Sequence, residues 1–181
     1  DHTITLTGLR EPMLLRKLVL SNRTNAEDYE AVKKAQDAAG AVNTSGQMIR
    51  IEAENVSRTS SQMLYAQQDQ SSPAIYPASP KELLNNTIGG NSWRLNGQWM
   101  EWEFEVPQTG YYHISLFDKQ NFVKGIYVSR RITIDGAVPF SEMEHYGFTY
   151  DSGWRADVLS DEDGNPYCFY LEEGTHTLRM E

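Results

Sequence analysis

From residue 48 onward, apolar and polar positions alternate with a period of two, the signature of half-buried β-strands. The clearest run is Met100–Val106. Met100, Trp102, Phe104 and Val106 fall on one side, and Glu101, Glu103 and Glu105 on the other, facing water. Pro107 stops that run, Thr109-Gly110 turns the chain, and Tyr112, Ile114 and Leu116 define the next inward row. Ile132 and Ile134 mark a strand that ends at Asp135-Gly136, a strong hairpin signal. Upstream, Ile49, Ile51 and Ala53 alternate with Arg50, Glu52 and Glu54; downstream, residues 167–171 and 175–180 close the series around Glu173-Gly174. Short strands at this spacing, with almost no helix between them, predict an all-β antiparallel sandwich over residues 48–181.

Residues 1–47 read differently. Ile4 and Leu6 alternate with threonines, Gly8 breaks the run, and Leu14-Leu15 and Leu18-Val19-Leu20 follow, which predicts a short strand hairpin over residues 1–23. Thr24 and Glu27 have the spacing of a capping box, and Gly40 stands just past the end of the predicted helix. The apolar face of that helix (Tyr29, Val32, Ala35, Ala39) is narrow, so it reads as a connector, followed by a linker over residues 41–47. The run His2-Thr3-Ile4-Thr5-Leu6 resembles His176-Thr177-Leu178-Arg179-Met180. Either two amphipathic strands are similar by chance, or residues 1–47 belong to a preceding module of the same kind. The chain opens without Met inside a strand-like run, which fits a segment of a longer protein whose signal peptide lies elsewhere.

Ten tyrosines, six phenylalanines and four tryptophans in 181 residues give the chain a core to bury. Its net charge of −9 disfavours partners that demand lysine and arginine clusters, so neither nucleic acid nor an anionic membrane surface is expected. No apolar run approaches the ~20 residues that span a bilayer. Cys168 is the one cysteine, so no intrachain disulfide forms, and its strand-like surroundings suggest a small buried hydrophobe.

Several motifs resemble those of family 6 and family 35 carbohydrate-binding modules. They are Ile51-Glu52-Ala53-Glu54 as an opening strand, Gly97-Gln98-Trp99-Met100-Glu101-Trp102 leading through Val106-Pro107 to Gly110-Tyr111-Tyr112, then Ile134-Asp135-Gly136 and Gly174-Thr175-His176-Thr177-Leu178-Arg179. The resemblance implies a galactose-binding-like jelly roll that holds carbohydrate without catalysis. Leu9-Arg10-Glu11-Pro12-Met13, Val128-Ser129-Arg130-Arg131 and the stretch from Ile134 to Phe140 also resemble modules inserted in large bacterial extracellular solute-binding lipoproteins of sugar transporters. That implies a cell-surface location, with neighbouring modules of the same polypeptide as partners. The resemblance further implies a structural calcium on Glu52 and Glu54. Calcium wants six to eight oxygens, so two solvated glutamates are the other reading.

A sugar site needs an aromatic face against the C–H side of a pyranose, with polar groups beside it for the hydroxyls. Residues 59–92 form a long irregular stretch rich in Ser, Gln, Asn and Pro, of the kind that carries function. At its end stand Asn91 and Trp93. Two further turn-rich segments hold Gln120 with Asn121 and Tyr150 with Trp154. These six are the candidate ligand contacts, with Trp93 and Trp154 as platforms. Trp102 alternates with core positions and reads as structural, while Trp99 stands between the two readings. Arg130-Arg131 precede an apolar alternation, so a bulge or a buried ion pair is expected there. The run Asp161-Glu162-Asp163-Gly164-Asn165 lacks the later glutamate of a calcium loop and reads as a solvated turn. Glu101 with Glu103 and Glu142 with Glu144 are the carboxylate pairs an enzyme would offer, but the wet strand face accounts for the first. No nucleophile or metal motif stands beside them, so no catalysis is expected. The rival to a sugar-binding module is a structural or protein-docking sandwich with no sugar ligand.

Overall fold

The computed structural model describes residues 3–5, 25–79, 81–122 and 124–181. The hairpin expected over residues 1–23 and the expected cap at Thr24 lie outside these, apart from residues 3–5, which carry no regular structure. Among the described residues there is one α-helix, α1 (Tyr29–Ala38). The strands are β1 (Arg58–Thr59), β2 (Ala66–Gln67), β3 (Thr87–Ile88), β4 (Met100–Val106), β5 (Gly110–Tyr112) and β6 (Ser115–Asp118). They continue with β7 (Tyr127–Arg130), β8 (Ile132–Ile134), β9 (Tyr146–Thr149), β10 (Arg155–Val158), β11 (Phe169–Leu171) and β12 (Gly174–Met180).

One layer is a four-stranded sheet in the order β1-β4-β12-β8. Antiparallel pairs β5–β11, β6–β10 and β7–β9 supply the facing layer, and β2–β3 forms a small ribbon in the long loop. The inner faces meet where the alternation places them: Met100 and Trp102 of β4, Ile132 of β8 and Leu178 and Met180 of β12 join Phe148 of β9 and Phe169 of β11 in one buried cluster. The chain is an all-β sandwich.

The strands change layers together. Met100 to Val106 pair with Met180 to Gly174, and Gly110 to Tyr112 pair with Leu171 to Phe169. Between these ladders three residues (107–109) face two (172–173), which makes a bulge of one residue at the corner. Pro107 sits in the bulge, where its missing N–H costs no ladder bond, and the Glu173 N–H donates to the Thr109 hydroxyl at 2.8 Å. Thr109-Gly110 and Glu173-Gly174 are therefore crossings between layers, whereas the sequence alone suggests ordinary turns.

Helix α1 docks on this frame. Asp28, not Thr24, is its cap: the Asp28 carboxylate accepts from the Ala31 N–H at 2.8 Å. Both carboxylate oxygens of Glu142 also accept from the Tyr29 N–H, each at 3.1 Å. The Tyr29 ring meets Phe140 and Tyr167 edge-on at centroid distances of 5.0 and 4.8 Å. Burial pushes the Tyr29 hydroxyl up to about 12, and that oxygen accepts from the Cys168 N–H. Cys168 is half-buried at this seam rather than buried outright. The expected linker is likewise bound in: Tyr111 N–H donates to Val42 C=O at 2.9 Å, and a side chain at Gly110 would strike that carbonyl at 2.7 Å. Glycine is required there by close approach of backbone.

Two expectations fail along the first sheet. Residues 48–53 are not a strand. The chain turns at residues 53–55, with Asn55 N–H bonded to Glu52 C=O, and pairing with β4 starts only where Ser57 N–H reaches Glu101 C=O. Glu101 is also not on a wet face; it is 6% exposed. Arg58, Glu101, Arg179 and Thr133 stand directly opposite one another across all four strands. Glu101 receives Arg58 Nε at 3.1 Å and Arg179 Nη2 at 2.6 Å, and the Arg179 guanidinium lies 4.0 Å from the Trp99 ring centroid. The two arginine stems cover the carboxylate, an arrangement that a period-two reading cannot see. Glu103 keeps its expected exposure. Removing Glu101 strands two arginines that can still reach water, so Glu101→Ala is expected to cost about 1–3 kcal/mol in urea unfolding, and Glu103→Ala within about 0.5 kcal/mol.

Candidate functional site

Trp154 sits at the head of β10, and the β6–β10 register places Ala156 opposite Phe117 and Arg155 opposite Asp118. Side chains two apart on a strand share a face, so Trp154 and Phe117 meet. Their rings stack at 5.4 Å between centroids and 21° between planes. Phe117 is 45% exposed and Trp154 half-buried, so the pair forms an aromatic surface open to water on the sandwich.

The long loop fixes the indole. Trp154 Nε1 donates to Asp69 Oδ2 at 3.1 Å, and Lys119 Nζ reaches the same oxygen at 2.7 Å while lying 5.1 Å from the indole centroid. Ser71 N–H donates to the other oxygen at 2.6 Å. Burial alone would raise the Asp69 pKa, but these bonds from Lys119, Ser71 and Trp154 overcome it and hold the carboxyl far below the usual carboxylate range. Asn86, buried, ties the loop together: its amide nitrogen donates to the carbonyls of Asp69 and Pro77, each at 3.0 Å, and its oxygen accepts from Asp69 N–H at 2.8 Å.

Gln120 and Asn121 follow Lys119 in the chain but play different parts. Gln120 is buried, and both ends of its amide are engaged: Nε2 donates to Ile126 C=O and Oε1 accepts from Phe122 N–H. It shapes the loop rather than facing out. Asn121 is exposed and Tyr150 half-buried, both within the turns that flank Trp154. Gln120 C=O accepts from Asp151 N–H at 2.8 Å, which brings those two turns together.

Trp93 belongs elsewhere. Its Nε1 donates to Gln98 C=O at 3.1 Å, the Arg130 guanidinium covers its ring at 3.9 Å, and Arg130 Nη2 donates to Trp93 C=O. The indole also packs on the core cluster. Trp93 is a brace under a cation, and Asn91 stands exposed one turn before it. The arginine pair is resolved this way: Arg130 goes to Trp93, and Arg131, exposed between two strands, pairs with Glu144 at 3.5 Å.

Glu52 and Glu54 are both half-buried in the turn that replaces the expected strand, and Glu52 is taken by Arg50 at 2.6 Å. Among the described residues, no group of three His, Cys, Asp or Glu side chains is placed to hold a metal. Two carboxylates, one already ion-paired, do not meet calcium's need for oxygens. Asp161 organises its own turn, accepting from the Asp163 and Asn165 N–H groups as a solvated loop should.

Asp69, Phe117 and Lys119 escape sequence reading as a set. Asp69 lies in aperiodic sequence, and nothing local links it to Trp154, 85 positions away. Phe117 had a signal: it is the polar-side position of β6 filled by an aromatic.

The fold is similar to part of a cycloisomaltooligosaccharide glucanotransferase from Paenibacillus sp., solved in complex with cycloisomaltoheptaose, with a TM-score of 0.50 and 16% identity, covering 86% of this chain and 21% of that one. It is also similar, at a TM-score of 0.45 and 14% identity, to part of a ruminal GH26 endo-β-1,4-mannanase, covering 77% of this chain and 24% of that one. The chain thus spans about a fifth to a quarter of the length of these proteins. No protein-family model matches it, and no curated protein sequence does.

Beside the aromatic pair lies a strained carboxylate. Asp118 is pushed up to about 6 by burial; Arg155 opposes this, while Asp157 and Asp151 add to it. Its Oδ1 is buried without a hydrogen-bond partner. The folded state therefore binds this proton more tightly than the unfolded chain. The resulting stability is full below the ordinary aspartate range and is lost as pH rises from about 4 to about 6. Asp118→Asn removes the penalty. It should raise stability at pH 7 by roughly 1 kcal/mol, after allowing for screening by water at this half-open position. At pH 3.5 it should change little. Urea unfolding at the two pH values checks the difference.

Proposed function

We propose that this chain is a non-catalytic carbohydrate-binding module of a larger extracellular protein, with the Trp154–Phe117 stack as its sugar platform. The observation that carries the reading is the fixed indole: a half-exposed ring stacked on the exposed Phe117, with its N–H already spent on Asp69, so the pair is held in place before any ligand arrives. Preorganised aromatic rings bind apolar sugar faces without losing rotamer freedom on binding. Asn121 and Tyr150 stand in the flanking turns, where they serve the hydroxyls. Three of the four carboxylates weighed for catalysis have partners, Glu101 its arginines, Glu142 the Tyr29 N–H and Glu144 Arg131, while Glu103 is exposed on the strand face. A solute-binding lipoprotein of a sugar transporter is the kind of parent protein that the motifs suggest, and the short share of the similar chains fits a module within a longer polypeptide.

A glycan array on the fragment is the direct test, followed by titration of its best glycan. Trp154→Ala should weaken binding at least tenfold while unfolding at nearly the parent urea concentration. Trp93→Ala should instead cost about 1–3 kcal/mol of stability, and Trp102→Ala, in the core, about 3–5 kcal/mol. If no glycan binds at millimolar concentration, the protein-docking reading replaces this one.

The calcium implied by the sequence resemblance is tested separately, by thermal melting in chelator and in added calcium. The Arg50–Glu52 pair predicts an unchanged curve. A drop in chelator that calcium reverses would put an ion on Glu52 and Glu54, because a ligand bound only to the folded state stabilises it.

A further inference from the structure

The β7–β9 pair carries an aromatic group that neither the core nor the Trp154 cluster uses. Register places Tyr127 opposite Thr149, Val128 opposite Phe148 and Ser129 opposite Gly147. Phe148 is buried and Val128 half-buried on the inner face, while Tyr127, Ser129, Gly147 and Thr149 are exposed on the outer one. Tyr127 itself is 65% exposed.

The position beneath the ring is a glycine for a steric reason. A β-carbon at Gly147 would lie 3.2 Å from Tyr127 Cδ2, 3.6 Å from Cγ and 3.7 Å from Cε2. Gly147 is not among the glycines with positive φ, so its backbone conformation does not ask for glycine. What asks for it is the close approach of the ring, and a glycine inside a strand marks such an approach. The ring therefore rests on bare backbone and turns its other face to water. On the same outer face stand two hydroxyls, Ser129 on the same strand and Thr149 across from it, while Ile126, just before Tyr127 in the chain, is 50% exposed. Arg155 Nη1 donates to Thr149 Oγ1 at 3.0 Å and Nη2 to Thr149 C=O at 3.2 Å.

We propose that Tyr127, seated over Gly147, is a second sugar-stacking platform, flanked by the hydroxyls of Ser129 and Thr149. An open ring face set among hydroxyls and a guanidinium suits a pyranose, whose C–H face is apolar and whose rim is polar. The outer face of the strand pair itself, a glycine and two hydroxyls around one ring, offers less contiguous apolar area than a protein partner asks for. Arg155, which bonds Thr149 beside this platform, is the chain neighbour of Trp154, so the backbone at the start of β10 links the two platforms. The ligand class is accordingly an extended polysaccharide rather than a terminal monosaccharide. The inference rests on the carbohydrate-binding reading of Trp154.

An aromatic ring over a cross-strand glycine also strengthens a sheet, so binding and stability must be read separately. The parent fragment, Trp154→Ala, Tyr127→Ala, Tyr127→Leu and Tyr127→Phe are run in native gels containing dextran, β-mannan or xylan, and each is melted in parallel. Tyr127→Ala and Tyr127→Leu should weaken retardation by the polysaccharide that retards the parent about five- to tenfold; Tyr127→Phe, which keeps the planar face, should retain it. Leucine keeps apolar cover over Gly147, so the test stands even where alanine unfolds the pair. If the parent is retarded and Trp154→Ala lowers its affinity, but Tyr127→Leu runs as the parent does, the second platform is overturned and the first stands. A parent retarded by no polysaccharide, with a blank glycan array, overturns both.

Discussion

The corner where the ribbon of β4 and β12 bends into the ribbon of β5 and β11 governs the rest of the molecule. Two strands must cross between layers side by side, and the bulge of one residue lets them do so without breaking either ladder. The shift also sets which face of each strand points inward on either side of the bend, because a slip of one residue reverses every side chain. Before the bend, Met100 and Trp102 enter the core; beyond it, Phe169 does. The segment at residues 42–44 and helix α1 lean on the same bend through Tyr111, whose hydroxyl donates to Asp37 at 2.8 Å.

Several carboxylates on this frame are held by hydrogen-bond donors rather than left to water alone. Glu101 lies under two arginines, and Asp69 accepts from an ammonium, an indole and a backbone N–H. Asp135, at the turn after β8, holds His176 Nδ1 at 2.6 Å and Thr177 N–H at 2.8 Å. Burial pulls the His176 pKa down, but the Asp135 carboxylate and the Glu172 carbonyl outweigh it, so the ring titrates above its ordinary value. Asp118 is the exception, since its neighbours include two more carboxylates and one of its oxygens has no partner. The exception lies next to the aromatic pair, where Asp118 adjoins Phe117 and faces Arg155 across the sheet.

The sandwich was legible in the sequence because alternation survives locally: β4, β8 and β12 follow the apolar positions, and Asp135-Gly136 makes its turn with both residues at positive φ. The opening strand was misread because Ile49 and Ile51 alternate without a partner to pair with, and Trp102 instead takes the Ala53 carbonyl with its indole N–H. Glu101 was misread because an acidic residue on an alternating face is wet only if its neighbours across the sheet leave it so. Trp154 was selected for its turn-rich setting. The same rule also selected Trp93, and the two differ only in long-range partners: Asp69 and Phe117 for one, Arg130 and Gln98 for the other. Pattern reports a residue's face and its local turn chemistry. It does not report which distant side chain arrives to cover it.

Asp69 and Asn86 also separate the long loop into two kinds of sequence. Asn86 closes the loop on itself, and the Asp69 carboxylate fastens it to Lys119 and Trp154 on the sandwich. The residues between, from Ser71 to Ser79, make turns within the loop through short bonds such as Ser72 Oγ to Ala74 N–H. Apart from Ile75, which is buried at 3% exposure, their identity is uncoupled from the core. Natural selection can rewrite the exposed positions of that stretch while Asp69, Asn86 and the buried Ile75 keep the loop on its scaffold. Constancy of the architecture and freedom of the surface are written into different residues of the same loop.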